Sequence, residues 1–142
     1  MNQMHQPIGH HEALIYVMVT VSASDRKMTD NELRKIGDIV RQVPIFADFD
    51  AERLVSVAEE CGHRLQNDDG LDAILEIIAD VLPERLYETA YALAVEVAAA
   101  DLHVEQEELR FLQILRDHLE LDKLAVAAIE HSARVRYRVA KP

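Results

Sequence analysis

An all-α fold of about seven helices in a single domain is the reading this sequence supports, and three observations carry it. Gly 4 and Pro 4 in 142 residues, no Trp, and an abundance of Ala, Leu, Val and Glu suit helices far better than strands, whose turns need more Gly, Asn and Pro. Apolar residues recur at the helical spacing of three and four through most of the chain. Capping and turn residues then punctuate those runs at helix-length intervals. At 49% hydrophobic and 29% charged, the chain can bury one core and is too short for two ordinary domains.

The first helix is expected over about Glu12 to Ser22, apolar at Leu14, Ile15, Val17, Met18, Val19 and Val21, with so little polar face that it belongs at the centre. Thr29-Asp30-Asn31-Glu32 reads as a capping box, in which a hydroxyl and a carboxylate each satisfy an orphan backbone N–H. The helix it opens carries Leu33, Ile36, Ile39, Val40 and Val43 on one stripe, and Pro44 ends it. A third starts near Asp48 or Asp50 and buries Leu54, Val57, Ala58, Cys61 and Leu65. Asn67-Asp68-Asp69-Gly70 is a turn, and Leu71 to Leu82 forms a fourth helix. Pro83 introduces the fifth, about Glu84 to Ala100, which is apolar almost all round and therefore also central. The sixth, about Glu105 to Leu119, sets Leu109, Leu112, Leu115 and Leu119 on one face, and the seventh runs from Asp122 to about Ala133. The domain thus spans 12–133, between an N-terminal segment 1–11 expected to be flexible and a basic tail 134–142. For that tail a frayed helix end, a short extended arm and a docking strand all stay open.

A shift of 76 positions lays Glu12 on Glu88, Val19 on Val95, Asp25 on Asp101, Glu32 on Glu108, Leu33 on Leu109 and Arg34 on Arg110. Each half holds an apolar helix, a short connection and an amphipathic helix. The expected solution packs the first and fifth helices against each other about an approximate two-fold axis. The small residues Ser22, Ala23 and Ser24, and Ala98, Ala99 and Ala100, permit their close approach.

Charge and composition remove several classes of function. Asp+Glu 26 against Lys+Arg 15, a formal charge of -11, argues against nucleic-acid binding and against anionic membrane surfaces. The polar start is neither a secretory signal nor a transit peptide, and no apolar run reaches the roughly 18 residues of a membrane span, so the expectation is a cytoplasmic protein with no membrane insertion. Cys61 stands alone and recurs with an apolar helical face, which makes it a buried structural thiol. No Gly-rich phosphate loop, nucleophile elbow or Cys/His dyad is present, and a non-enzymatic protein is expected. The histidines, His10 and His11 among them, lack metalloprotease spacing and read as surface or capping residues.

Four carboxylates hold the chemical interest. In each half an Asp follows the central helix and a Glu comes seven positions later, Asp25 with Glu32 and Asp101 with Glu108. Glu at a helix start is stabilised by the dipole and by free N–H groups, whereas Asp at a helix end faces unsatisfied carbonyls and needs an N–H, a basic side chain or a cation. Two readings stay open at this point. Carboxylates converging with backbone carbonyls are the donor set of a hard divalent cation, Ca²⁺ or Mg²⁺. Alternatively the acids are turn and cap residues. An EF-hand is excluded, because a loop begun at Asp25 or Asp101 puts Ile36 or Leu112 where its bidentate Glu belongs. Glu96, deep in the fifth helix, is expected to pair with a basic residue or to join the acidic connection.

The segments Val21-Ser22-Ala23-Ser24-Asp25-Arg26-Lys27-Met28-Thr29-Asp30-Asn31-Glu32 and Val97-Ala98-Ala99-Ala100-Asp101-Leu102-His103-Val104-Glu105-Gln106-Glu107-Glu108 resemble the repeated motif of the TerB tellurite-resistance family, which is related to the N-terminal domain of the DjlA co-chaperones. Arg26 and Leu102 stand where that family usually has Gly. The resemblance, over about Glu12 to Ala133, implies an internally duplicated all-helical fold. It also implies Asp25, Glu32, Asp101 and Glu108 as metal ligands, a role in bacterial tellurite or chemical stress, and a protein partner that includes membrane-associated stress components. The alternative is a helical interaction or scaffold module whose acids are only caps.

Overall fold

The computed structural model describes residues 8–22, 28–100 and 106–140, and among them it has seven α-helices and no strand. These are α1 (His10–Ser22), α2 (Asp30–Gln42), α3 (Leu54–Leu65), α4 (Gly70–Val81), α5 (Tyr87–Ala100), α6 (Gln106–His118) and α7 (Lys123–Arg136). Single 3-10 turns at Pro44–Phe46, Ala51–Arg53 and Glu84–Leu86 join some of them. Two start later than expected: the 3-10 turns absorb the first residues assigned to α3 and α5. Asp50 accepts the Glu52 N–H at 3.0 Å before α3, and Pro83 precedes the turn into α5.

Every residue of α1 from Ala13 to Ser22 is buried. A helix can disappear into a core in this way because its backbone bonds are internal, so only its side chains need an apolar setting. Thr20 fits there by donating its hydroxyl to the Tyr16 carbonyl at 2.7 Å. α1 packs on α5, on α3 and α4, and more lightly on α2 and α6; α5 packs on α1, α6 and α7. The expected pairing of the two apolar helices is therefore the centre of the molecule. Each is covered within its own half by the next two helices, α2 with α3 and α6 with α7, apart from α4, which lies against α1, α3 and α6.

α1 begins two residues earlier than expected, so His10 and His11 form its first turn and are not a mobile terminus. One reason is local and the other tertiary: the Gly9 N–H reaches the Glu12 carboxylate at 2.9 Å, and His11 lies against Phe46 and Phe49 with its Nε2 3.1 Å from the Ile45 carbonyl oxygen and 3.0 Å from Asp48. In α6 the buried residues are Glu108, Phe111, Leu112 and Leu115, while Leu109, expected on the inner face, is 50% exposed. Phe111 fills the position instead, which turns the helix so that Leu109 falls on its flank. The tail is settled as far as Arg136, where α7 ends with Tyr137 as its cap. No helix among the described residues is long and apolar enough to cross a membrane.

The α3–α4 corner requires glycine for closeness. A Cβ on buried Gly70 would sit 2.6 Å from the Arg64 carbonyl oxygen and 2.8 Å from the Leu65 backbone, whereas one on Gly62 meets nothing within 4 Å. Opposite outcomes follow for one substitution. Gly62→Ala is expected to stabilise the protein by about 1 kcal/mol through helix propensity, and Gly70→Ala to destabilise it by about 1–3 kcal/mol through overpacking, both read as shifts of the urea midpoint. Val17 is 0% exposed in α1 and Leu93 is buried in α5. Val17→Asp or Leu93→Asp should abolish cooperative folding, since an unpaired buried charge costs several kcal/mol of a total of about 5–15 kcal/mol; a normal thermal transition in either variant would remove the central-helix assignment.

Candidate functional site

Of the four motif carboxylates, Asp25 and Asp101 lie outside the described residues, as do Arg26, Leu102 and His103. Glu32 is placed in full. It is the third residue of α2, its Oε1 accepts the Thr29 N–H at 2.8 Å and the Thr29 hydroxyl at 3.2 Å, and its own N–H donates to Thr29 Oγ1 at 3.2 Å. The capping box read from the sequence is therefore formed, and this carboxylate closes on its own helix terminus at the surface. Glu108 is the third residue of α6, the equivalent place in the second half, yet it is only 4% exposed. The two copies of the motif thus put the same residue type in different surroundings. Among the described residues no three His, Cys, Asp or Glu side chains gather as a metal-holding group.

Charge at the end of α5 has an answer from the other half. Lys35, on α2, donates from Nζ to the Ala100 carbonyl at 3.1 Å. An ammonium at a helix C-terminus meets the negative end of the dipole and satisfies an orphan carbonyl. Lys35 and Ala100 are 65 positions apart, so nothing local in the sequence marks this contact; the partner expected for Asp101 itself lies outside the described residues.

Two further singled-out acids, Glu96 and Glu12, have partners. Glu96 pairs with Arg136 at 2.7 Å and accepts the Tyr137 hydroxyl, so of the two expectations for it the basic partner holds. Glu12 caps Gly9 and pairs with Arg53 at 2.8 Å. Burial pushes its carboxyl up, but the backbone N–H groups of Glu12 and Gly9 and the Arg53 guanidinium outweigh that and leave it below its usual range. Glu88 is exposed in the first turn of α5. Cys61 is fully buried and its thiol is pushed up to about 12 by burial, as fits a structural cysteine.

Sequence reasoning missed a pair of polar links that tie each central helix to its cover. Tyr16 on α1 donates its hydroxyl to Glu60 on α3 at 2.5 Å, and Tyr91 on α5 donates to Glu130 on α7 at 2.5 Å. Arg116 of α6 joins the second, donating to the Tyr91 hydroxyl at 2.8 Å and to Glu130 at 3.2 Å. The shift of 76 that aligns the acidic motifs hides this repeat, because it sets Tyr16 on Ala92 and Tyr91 on Ile15. Burial first, and the bond to Glu130 second, push the Tyr91 phenol up to about 12 against the pull of Arg116; burial and Glu60 raise Tyr16 likewise.

A tyrosine whose folded pKa lies above its unfolded value near 10 binds its proton more tightly in the native state. That stability is whole below about pH 10 and is lost as pH climbs through the folded value. Chemical denaturation between pH 8 and 12 should therefore show stability falling from about pH 10 upward, and Tyr91→Phe should make the fall shallower. An identical slope in the variant would exclude Tyr91 from that loss.

The family model for the tellurite resistance protein TerB matches residues 11–131. No match was found among curated proteins or among solved structures. The matched span runs from the first turn of α1 to within α7, takes in both acidic motifs, and coincides with the duplicated helical arrangement just described. With most of its length covered by that match, the chain belongs to the TerB family of tellurite-resistance proteins.

Proposed function

We propose that this TerB-family chain works by binding and not by catalysis, and that its second acidic motif, Asp101 with Glu108, holds a divalent cation. Oxygen donors alone favour Ca²⁺ or Mg²⁺. The observation that carries the reading is the burial of Glu108, a carboxylate only 4% exposed at a helix start, where its counterpart Glu32 forms a capping box at the surface. A carboxylate taken from water draws cationic or N–H counterparts towards it, and the residue seven positions upstream is a second carboxylate. In this reading Asp25 and Glu32 serve as turn and cap, and Arg26 and Lys27 supply positive charge of their own. The setting we infer is a cytoplasmic bacterial response to tellurite or other chemical stress, with a protein partner that includes membrane-associated stress components.

A second reading, an interaction module whose acids are only caps, is favoured by one contact. Lys35 already brings a positive charge to the end of α5.

Calorimetric and thermal titration with Ca²⁺, Mg²⁺, Mn²⁺ and Zn²⁺ separates the two. A native-state site gives about 2.7 kcal/mol of stabilisation at a free metal concentration a hundred times Kd. Asp101→Asn should abolish that gain, and Asp25→Asn should change it less. Under the cap reading Asp101→Asn leaves the apo protein unchanged or slightly steadier, because it removes a negative charge from a helix C-terminus while keeping an acceptor oxygen. No response of the wild type to any of the four metals at millimolar concentration would dispose of the cation site.

A further inference from the structure

The rotation that leaves Leu109 half exposed aims it at an open groove of about 700 Å³ between α5, α6 and α7. Val95, Ala98, Leu109, Leu112 and Ala133 give the groove apolar walls, and three arginines, Arg116, Arg134 and Arg138, line it as well. Their charges are not equivalent. Arg116 is held by Tyr91 and by Glu130, which is thereby neutralised as the one acid lining the groove. Arg134 and Arg138 are exposed and make no ion pair among the described residues. An apolar recess whose Arg134 and Arg138 are unpaired among the described residues thus sits on a chain of formal charge -11.

We propose that this groove docks an acidic amphipathic helix of a protein partner, its apolar stripe against Leu109 and Leu112 and its carboxylates towards Arg134 and Arg138. The dimensions suit that occupant. The α6 wall from Leu109 to Arg116 extends about 10–11 Å at the helical rise, and the facing wall runs from Glu130 on α7 past the end of that helix to Arg138; about two turns of a docked helix fit along it, which matches anchors at i, i+3 or i+4, and i+7. Charge argues against the competing occupants. A symmetric contact between two copies through this face sets Arg134 and Arg138 against their own equivalents. An anionic lipid surface or a nucleic acid meets the net charge of -11 on the rest of the chain, whereas a short helix touches the groove alone. The proposal stands apart from the cation reading, since it uses neither Asp101 nor Glu108.

Fluorescence anisotropy with the full chain and three labelled synthetic peptides tests it. One peptide is a helix former with leucines at i, i+3, i+4 and i+7 and glutamates elsewhere; the second has lysine for every glutamate; the third keeps the acidic composition with the leucine positions scrambled. The first should bind, more weakly as salt is raised, and the other two should not. The double variant Arg134→Glu/Arg138→Glu should weaken it at least about tenfold, as should Leu109→Ser, both with unchanged melting because the altered side chains are exposed. Failure of the acidic peptide to bind, equal binding of either control, or indifference to the variants would overturn the proposal. So would tighter competition for the groove by phosphatidylglycerol vesicles, or wild-type self-association in sedimentation that the double variant removes.

Discussion

Two helices without a polar face have to be buried, and the rest of the molecule is arranged to bury them. α1 is enclosed from Ala13 to Ser22 and α5 lies along it. Neither can be covered by its own half alone, so each serves as part of the other's apolar surroundings. The surrounding helices are amphipathic because one side of each faces this pair and the other faces water. Specific polar contacts at the edges of the pair fix how the cover sits. The hydroxyls of Tyr16 and Tyr91 are the polar tips of otherwise buried rings, and each finds a glutamate on the third helix of its half. A phenol placed this way contributes apolar area and still satisfies its donor.

The two halves are built alike but are not identical. The first has the additional helix α4, brought close to α3 by the absence of a side chain at Gly70. Its acidic motif ends in a carboxylate committed to a surface cap, while the second ends in a buried one. Lys35 of the first half answers the carbonyl end of the central helix of the second. Such a contact ties the two halves together across the domain.

The second half also carries the open surface. α6 and α7 cover α5 incompletely, leaving a groove whose apolar walls, and whose arginines without an ion pair among the described residues, are local exceptions on an acidic protein. The groove's lining includes neither Asp101 nor Glu108, so the proposed helix and the proposed cation are tested independently. Both proposals, the cation and the helix, are matters of binding energy and not of turnover.

Periodicity, caps and composition by themselves determined the all-α class, the order of the seven helices, the centrality of the first and fifth, the burial of Cys61 and the Thr29–Glu32 capping box. Each depends on residues within a few turns of one another, and local chemistry is what a sequence displays. The tertiary structure alone decided which flank of α6 turns inward, so that Phe111 is buried and Leu109 is not, because Leu, Ile and Phe at neighbouring positions satisfy more than one helical stripe and only packing against α5 and α1 selects among them. It also decided the partners of Glu96, Tyr91 and Lys35. Those are separated by tens of residues, and a charged or hydroxyl side chain carries no mark in the sequence of which distant group the fold will bring to it.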